Sequence, residues 1–352
     1  MKNETMKDVK RFVKKVLILI FLLCCIVLVL NYVGIQAGKI YKDGAALVCE
    51  SKREMVQSGA IHYKKNKINV LFMGTSRMLA GIVPAVFDRL SGGKTFSYNL
   101  AFPALPISSA YFTLKDYLEK NPPPEYVVMQ LHINRCRKCT LFNYYASQGF
   151  NGTGEMASLV KNMENKSIIV NYLFPFKMYK FFVFRYVIDR ILRPSNILQI
   201  KEKNRAILEQ MTAERGFYFI EEQAVAEDNR LPDDFVPERK GPAKMGGIFD
   251  PFTDPYVEKF FELTRETGVK VLLIQPVYRV GQYLQYEQMP LQFSVILEQY
   301  DHVFAAEEGW KRKFYDYKYF ADKTHLNPEG AERFTTQVFN EFQSVFPGIC
   351  GE

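Results

Sequence analysis

The stretch MGTSR, residues 73–77, sets a serine just after a short apolar run and a glycine. A serine hydroxyl is a weak nucleophile until a neighbouring base takes its proton, so a chemical reading of Ser76 requires a histidine and a group that orients it. The chain has four histidines, His62, His132, His302 and His325. His325 ends the segment DKTH, where Asp322 stands three residues earlier, within reach of the ring nitrogen that does not face the serine. Ser76, His325 and Asp322 are therefore the candidate catalytic residues, as nucleophile, base and orienting carboxylate. Each signal alone has a plain structural reading: Ser76 as a helix N-cap, DKTH as a solvated loop.

The surrounding elements must bring two distant loops together. INVLFM (Ile68–Met73) is branched and uncharged, which suits a strand buried on both faces. Gly74 permits a tight turn, and Ser76 falls at or near the start of the next helix. Further strands are expected over residues 95–102, 126–133, 270–277 and 302–306. Helices are expected over residues 111–118, stopped by KNPPPE, and over DPYVEKFFELTRETG, with Gly268 as its C-cap. Asn327 and Pro328 form an N-cap and N1 pair that starts a closing helix, residues 328–342, just after His325. Strands alternating with helices predict an α/β fold whose parallel sheet is covered on both faces. In such a sheet the loops carrying Ser76 and His325 gather at the carboxyl edge.

The chain has 352 residues, 48% hydrophobic and 24% charged, which describes an ordinary folded protein. Its net charge of +8 is partly concentrated in six basic residues before Val16, and no nucleic-acid-binding signature accompanies it. Residues 16–30 are all apolar, and YVGI extends the run to about the 20 residues that span a bilayer. Basic residues before it place the N-terminus in the cytoplasm and the rest of the chain outside, as an uncleaved signal anchor; a cleaved signal peptide is the alternative. Residues 1–35 are thus read as tail and anchor, 36–67 as a stalk and 68–345 as the catalytic domain, with a large helical insertion at 151–247. The aromatic run at residues 172–186 within it suits either core packing or a membrane or membrane-partner surface. Cys136 and Cys139 form CRKC, weak as a zinc or redox motif and better read as a local disulfide.

Together these motifs resemble the SGNH (GDSL-type) hydrolase superfamily. MGTSR is similar to its first block, with Thr75 where an Asp often stands, and Asp322, His325 and HLNPEGA to its last. YNLAFPALP looks like the second block, with Ala104 at about the glycine position. QLHINR stands in for the third, with Asn134 as the oxyanion-hole asparagine or His132 at that edge instead. The resemblance implies a flavodoxin-like three-layer sandwich and an oxyanion hole made by the Ser76 amide, an amide near Ala104 and Asn134. Arg77 is a candidate to orient an anionic or sugar group on the substrate, with a salt bridge on the helix face as its plain structural reading. No metal or cofactor is expected.

Anchored proteins of this layout resemble the extracytoplasmic partners of multi-pass membrane O-acyltransferases. That implies O-acyl transfer to, or ester hydrolysis from, an envelope polysaccharide, with D-alanylation of teichoic acid as a narrower version and a non-catalytic scaffold as the rival. A reporter fused after Gly44 should be active outside the cytoplasm and sediment with membranes; recovery in a soluble secreted fraction would mean that the segment is cleaved.

Overall fold

The computed structural model describes residues 2–36, 44–103, 107–130, 194–218, 254–279, 289–306 and 313–349, with residues 192 and 252 besides. Helices α1 (Lys2–Gln36) and α2 (Gly44–Gln57) precede β1 (Ile68–Met73). Helices α3 (Ser76–Leu79) and α4 (Pro84–Leu90) lead to β2 (Thr95–Asn99), and α5 (Ile107–Leu118) leads to β3 (Tyr126–Gln130). Then come α6 (Pro194–Ala213), α7 (Pro255–Glu266), β4 (Lys270–Ile274), β5 (Val277–Arg279) and α8 (Met289–Gln299). Strands β6 (Val303–Ala305) and β7 (Lys313–Tyr315) precede α9 (Pro328–Val345).

Five strands lie side by side in the order β2-β1-β3-β4-β6, every neighbouring pair parallel. Strand β1 is buried from Asn69 to Met73, which explains a run with no polar alternation. The chain steps one way from β1 to β2 and the other way from β2 to β3. Right-handed crossovers then put α4 and α5 on opposite faces. On one face Phe87 of α4 packs edge-on against Phe72, Phe339 and Phe342, with ring centroids 4.9, 5.2 and 5.3 Å away. On the other, Tyr111 and Phe112 of α5 pack against Tyr256 of α7 at 5.7 and 5.4 Å.

Several elements differ from the expectations. The strand over residues 270–277 ends at Ile274, because Pro276 has no N–H to extend the ladder. The chain resumes as β5, which pairs in parallel with β7 in a separate two-stranded sheet. Part of the stalk segment is core: α2 buries Val48, Cys49, Lys52, Met55 and Val56, spaced as one helical face. Part of the insertion covers an edge of the sheet. The carbonyl of Arg215, just after α6, accepts the Asn99 N–H at 2.9 Å, and a Cβ on Gly216 would stand 2.1 Å from the Asn99 carbonyl oxygen. The aromatic run at 172–186, and Cys136 and Cys139, lie outside the described residues.

Helix α1 is continuous, with side chains described without interruption from Asp8 to Ile26, and its apolar residues there, Leu17 and Phe21 among them, are exposed except the half-buried Cys24 and Cys25. Among the described residues no helix is long and apolar enough to cross a membrane.

Phe87 joins the sheet to both helices of its face and is 0% exposed. Phe87→Ala should cost about 3–5 kcal/mol of stability by leaving a cavity, read as a drop in the denaturant midpoint.

Candidate active site

The site sits where the strand order reverses, between the carboxyl ends of β1 and β3. Gly74 makes that approach close: a Cβ there would stand 2.6 Å from Met78 Cγ and 2.8 Å from Gln130 Cβ. Gln130, the last residue of β3, reaches across with its side chain. Its Oε1 accepts from the Thr75 hydroxyl at 3.1 Å and from the Thr75 N–H at 3.4 Å.

Thr75, not Ser76, caps α3. Its backbone is extended and its Oγ1 accepts the Arg77 N–H at 3.3 Å. The Ser76 hydroxyl is thereby released from the capping role and lies 2.8 Å from His325 Nε2. Past α3, the Asn99 side chain donates to the carbonyls of Met78, Leu79 and Ile82 at 2.9, 3.3 and 2.8 Å. The following turn rests on α9, where the Val83 N–H donates to Thr335 Oγ1 at 2.9 Å, and the Thr335 hydroxyl donates to Ala331 and Gly81 carbonyls.

His325 comes from a tight loop at the start of the same helix. Phe320 and Leu326 pair as an antiparallel bridge, and the Ala321 N–H donates to the His325 carbonyl at 2.9 Å. Within that loop Asp322 Oδ1 accepts the backbone N–H groups of Thr324 and His325 at 2.6 and 2.7 Å. Its Oδ2 accepts His325 Nδ1–H at 2.7 Å. An ionised carboxylate only accepts, so Asp322 holds the ring proton on Nδ1 and turns the Nε2 lone pair to the Ser76 hydroxyl. Asn327, two residues after the histidine, caps α9 by accepting the Gly330 N–H at 2.9 Å, so the helix starts at Pro328.

The structure brings together Ser76, His325 and Asp322. Two other histidines are engaged elsewhere: His62 contacts Tyr98 Oη at 3.3 Å, and His302 Nε2 stands 2.9 Å from Thr264 Oγ1. His132, Ala104 and Asn134 lie outside the described residues. The Ser76 amide, at the first position of α3, has no acceptor among the described residues. Arg77 donates from Nη1 to the Val277 carbonyl at 3.1 Å, and its guanidinium lies 4.7 Å from the centre of the Tyr278 ring, so it ties α3 to β5. Gln130, Lys52 and Arg279 were not foreseen. Arg279 is 5% exposed, lies over the Tyr317 ring at 5.6 Å, and interacts electrostatically with Asp322 and Arg77. Among the described residues no group of three His, Cys, Asp or Glu side chains could hold a metal ion.

Residues 9–342 match a family described as a protein of unknown function, DUF1574. The chain belongs to the DUF1574 family. That description names no activity and draws no link to the SGNH superfamily. No curated protein matches the chain. For this DUF1574 member the chemistry must therefore be argued from the site.

Burial pushes the Asp322 carboxyl up, but the hydrogen bonds from His325 and Thr324 outweigh it and hold the group below the usual carboxylate range. A depressed carboxyl contributes stability that is full above the unfolded value near 4 and is lost as pH falls through the lower folded value. Asp322→Asn should thus be less stable than the parent chain at neutral pH, with the gap closing below about pH 4. Urea midpoints measured from pH 7 to 3 check this; a gap that stays constant would show that the carboxylate is not held by these donors.

Proposed function

We propose that this protein is a membrane-anchored, extracytoplasmic serine esterase or O-acyltransferase of SGNH type. In this reading it acts on a cell-envelope polysaccharide, most simply in O-acetylation. The observation that carries it is the line of hydrogen bonds from Ser76 Oγ through His325 to Asp322, with the cap of α3 already supplied by Thr75. The strand order β2-β1-β3-β4-β6 adds support, because it is that of flavodoxin-like sheets. The anchor rests on the fifteen uninterrupted apolar residues 16–30 and the basic residues before them.

The mechanism follows from the roles. Ser76 Oγ attacks the acyl carbonyl while His325 Nε2 takes the hydroxyl proton, and Asp322 stabilises the imidazolium that forms. The carbonyl oxygen becomes an oxyanion, faced by the Ser76 amide, an amide near Ala104 and Asn134; each such donor is worth about 10²–10³ in rate. Collapse of the adduct expels the leaving oxygen, which takes the proton from His325 and leaves an acyl-Ser76 ester. A sugar hydroxyl or water then repeats the sequence and carries the acyl group away. Arg77, held by the Val277 carbonyl and the Tyr278 ring, is proposed to orient an anionic or sugar group on the substrate. A multi-pass membrane O-acyltransferase is the proposed source of the acyl group. No nucleic acid, metal or cofactor enters.

Ser76→Ala should lower esterase activity on a small acetyl ester by about 10⁴-fold or more and stop acylation of the polymer in cells. His325→Ala should match it, and the double variant should be hardly worse than either. Asp322→Ala should cost less. Native circular dichroism is required throughout. Full acylation in cells carrying Ser76→Ala would favour the non-catalytic scaffold instead.

A further inference from the structure

Lys52 of α2 is 0% exposed, and among the described residues no carboxylate is a partner of its ammonium. Its Nζ donates to the Asn99 carbonyl at 2.8 Å, the Ala101 carbonyl at 2.6 Å and the Asn99 Oδ1 at 3.4 Å. Burying a lysine is costly, and here burial pulls its pKa well below the ordinary value; the three oxygens around Nζ offset that cost. What it touches is informative. The peptide units that follow Asn99 and Ala101 present their carbonyls to Lys52 and their N–H groups to β1: Leu100 N–H donates to the Phe72 carbonyl at 2.7 Å and Phe102 N–H to the Gly74 carbonyl at 3.0 Å. A cation on the carbonyl strengthens the N–H of the same peptide as a donor. Lys52 therefore pins the extension of β2 to the last residues of β1, ending two residues before Ser76. Through the Asn99 side chain it also steadies the amide that gathers the three carbonyls at the far end of α3.

We infer that Lys52 is a positioning residue for the nucleophile: its ammonium, held on the Asn99 and Ala101 carbonyls, fixes the turn that carries Ser76 and the start of the loop leading to Ala104. This rests on the proposed serine chemistry. It also makes α2, the helix that follows α1 in the chain, part of the active-site support. A reacting group displaced by about 1 Å loses on the order of 10² in rate, which sets the scale.

The test uses the detergent-solubilised full chain and p-nitrophenyl acetate, with Ser76→Ala run alongside. Lys52→Met, which keeps the length and removes the ammonium, should lower kcat by about 10²-fold with KM within about twofold and native circular dichroism. Lys52→Ala should regain part of its kcat when ethylammonium is added, and Ser76→Ala should gain nothing. A merely structural lysine would give no such split and no amine rescue. Wild-type kcat in a folded Lys52→Met chain would overturn the inference and leave the serine reading standing. If both Lys52 variants fail to fold, ethylammonium present or not, the residue serves folding and the inference is overturned as well. Wild-type chain without Ser76-dependent turnover would remove the serine reading, and the inference with it.

Discussion

Gly74 sets the geometry on which the candidate site depends. With any side chain there, Met78 and Gln130 would be struck at 2.6 and 2.8 Å, and the ends of β1 and β3 would have to part. Because they do not part, the Gln130 side chain reaches Thr75 and immobilises it, and Thr75 in turn satisfies the Arg77 N–H. The division of labour between two neighbouring hydroxyls follows. The threonine is spent on the backbone, and the serine is left for the histidine. A hydroxyl at an N-cap ordinarily serves the helix, so the availability of Ser76 is a consequence of its neighbour and of the strand that holds that neighbour.

The second half of the site is held by the same logic at the other end of the chain. Asp322 accepts four donors from its own loop, two of them backbone N–H groups and one the Thr324 hydroxyl, beside the His325 ring N–H. A carboxylate so fixed cannot swing away from the imidazole. Gly330 packs against the Tyr319 carbonyl, where a Cβ would stand 2.2 Å away, and so lets the loop fold back onto the first turn of α9. Contacts from Thr335 to Gly81 and Val83 then lock α9 to the turn after α3. Serine and histidine, 249 residues apart, meet because one helix holds both loops.

The legible part of this arrangement was local. INVLFM, the Asn327-Pro328 pair and the Asp322-to-His325 spacing each carry their own stereochemistry, so the first strand, the last helix and the three meeting side chains could be read from residue types. What escaped was set by tertiary contact. Nothing in the pattern of α2 separates a stalk helix from a core helix until its apolar face finds α5 and α6. Pro276 was visible, but that β5 would resume and pair with β7 depends on residues far along the chain. Gln130 was equally hidden, because a glutamine ending a strand has no intrinsic preference for a threonine across the sheet.

Asn99 shows how far support for the site extends beyond the residues that could do chemistry. The resemblance assigns a block to YNLAFPALP, and a reader of that block looks for donors aimed at the substrate. Here the side-chain amide of Asn99 instead faces inward. Its nitrogen meets three carbonyls of α3 and the turn beyond, and its oxygen accepts the Ala101 N–H and Lys52. Only an amide can serve both groups at once. An aspartate would set a second acceptor against three carbonyl oxygens in a buried site, and an aliphatic residue would strand all of them. The residue is therefore fixed by the backbone it satisfies, and its contribution to chemistry is the fixed position of the helix that begins at Ser76.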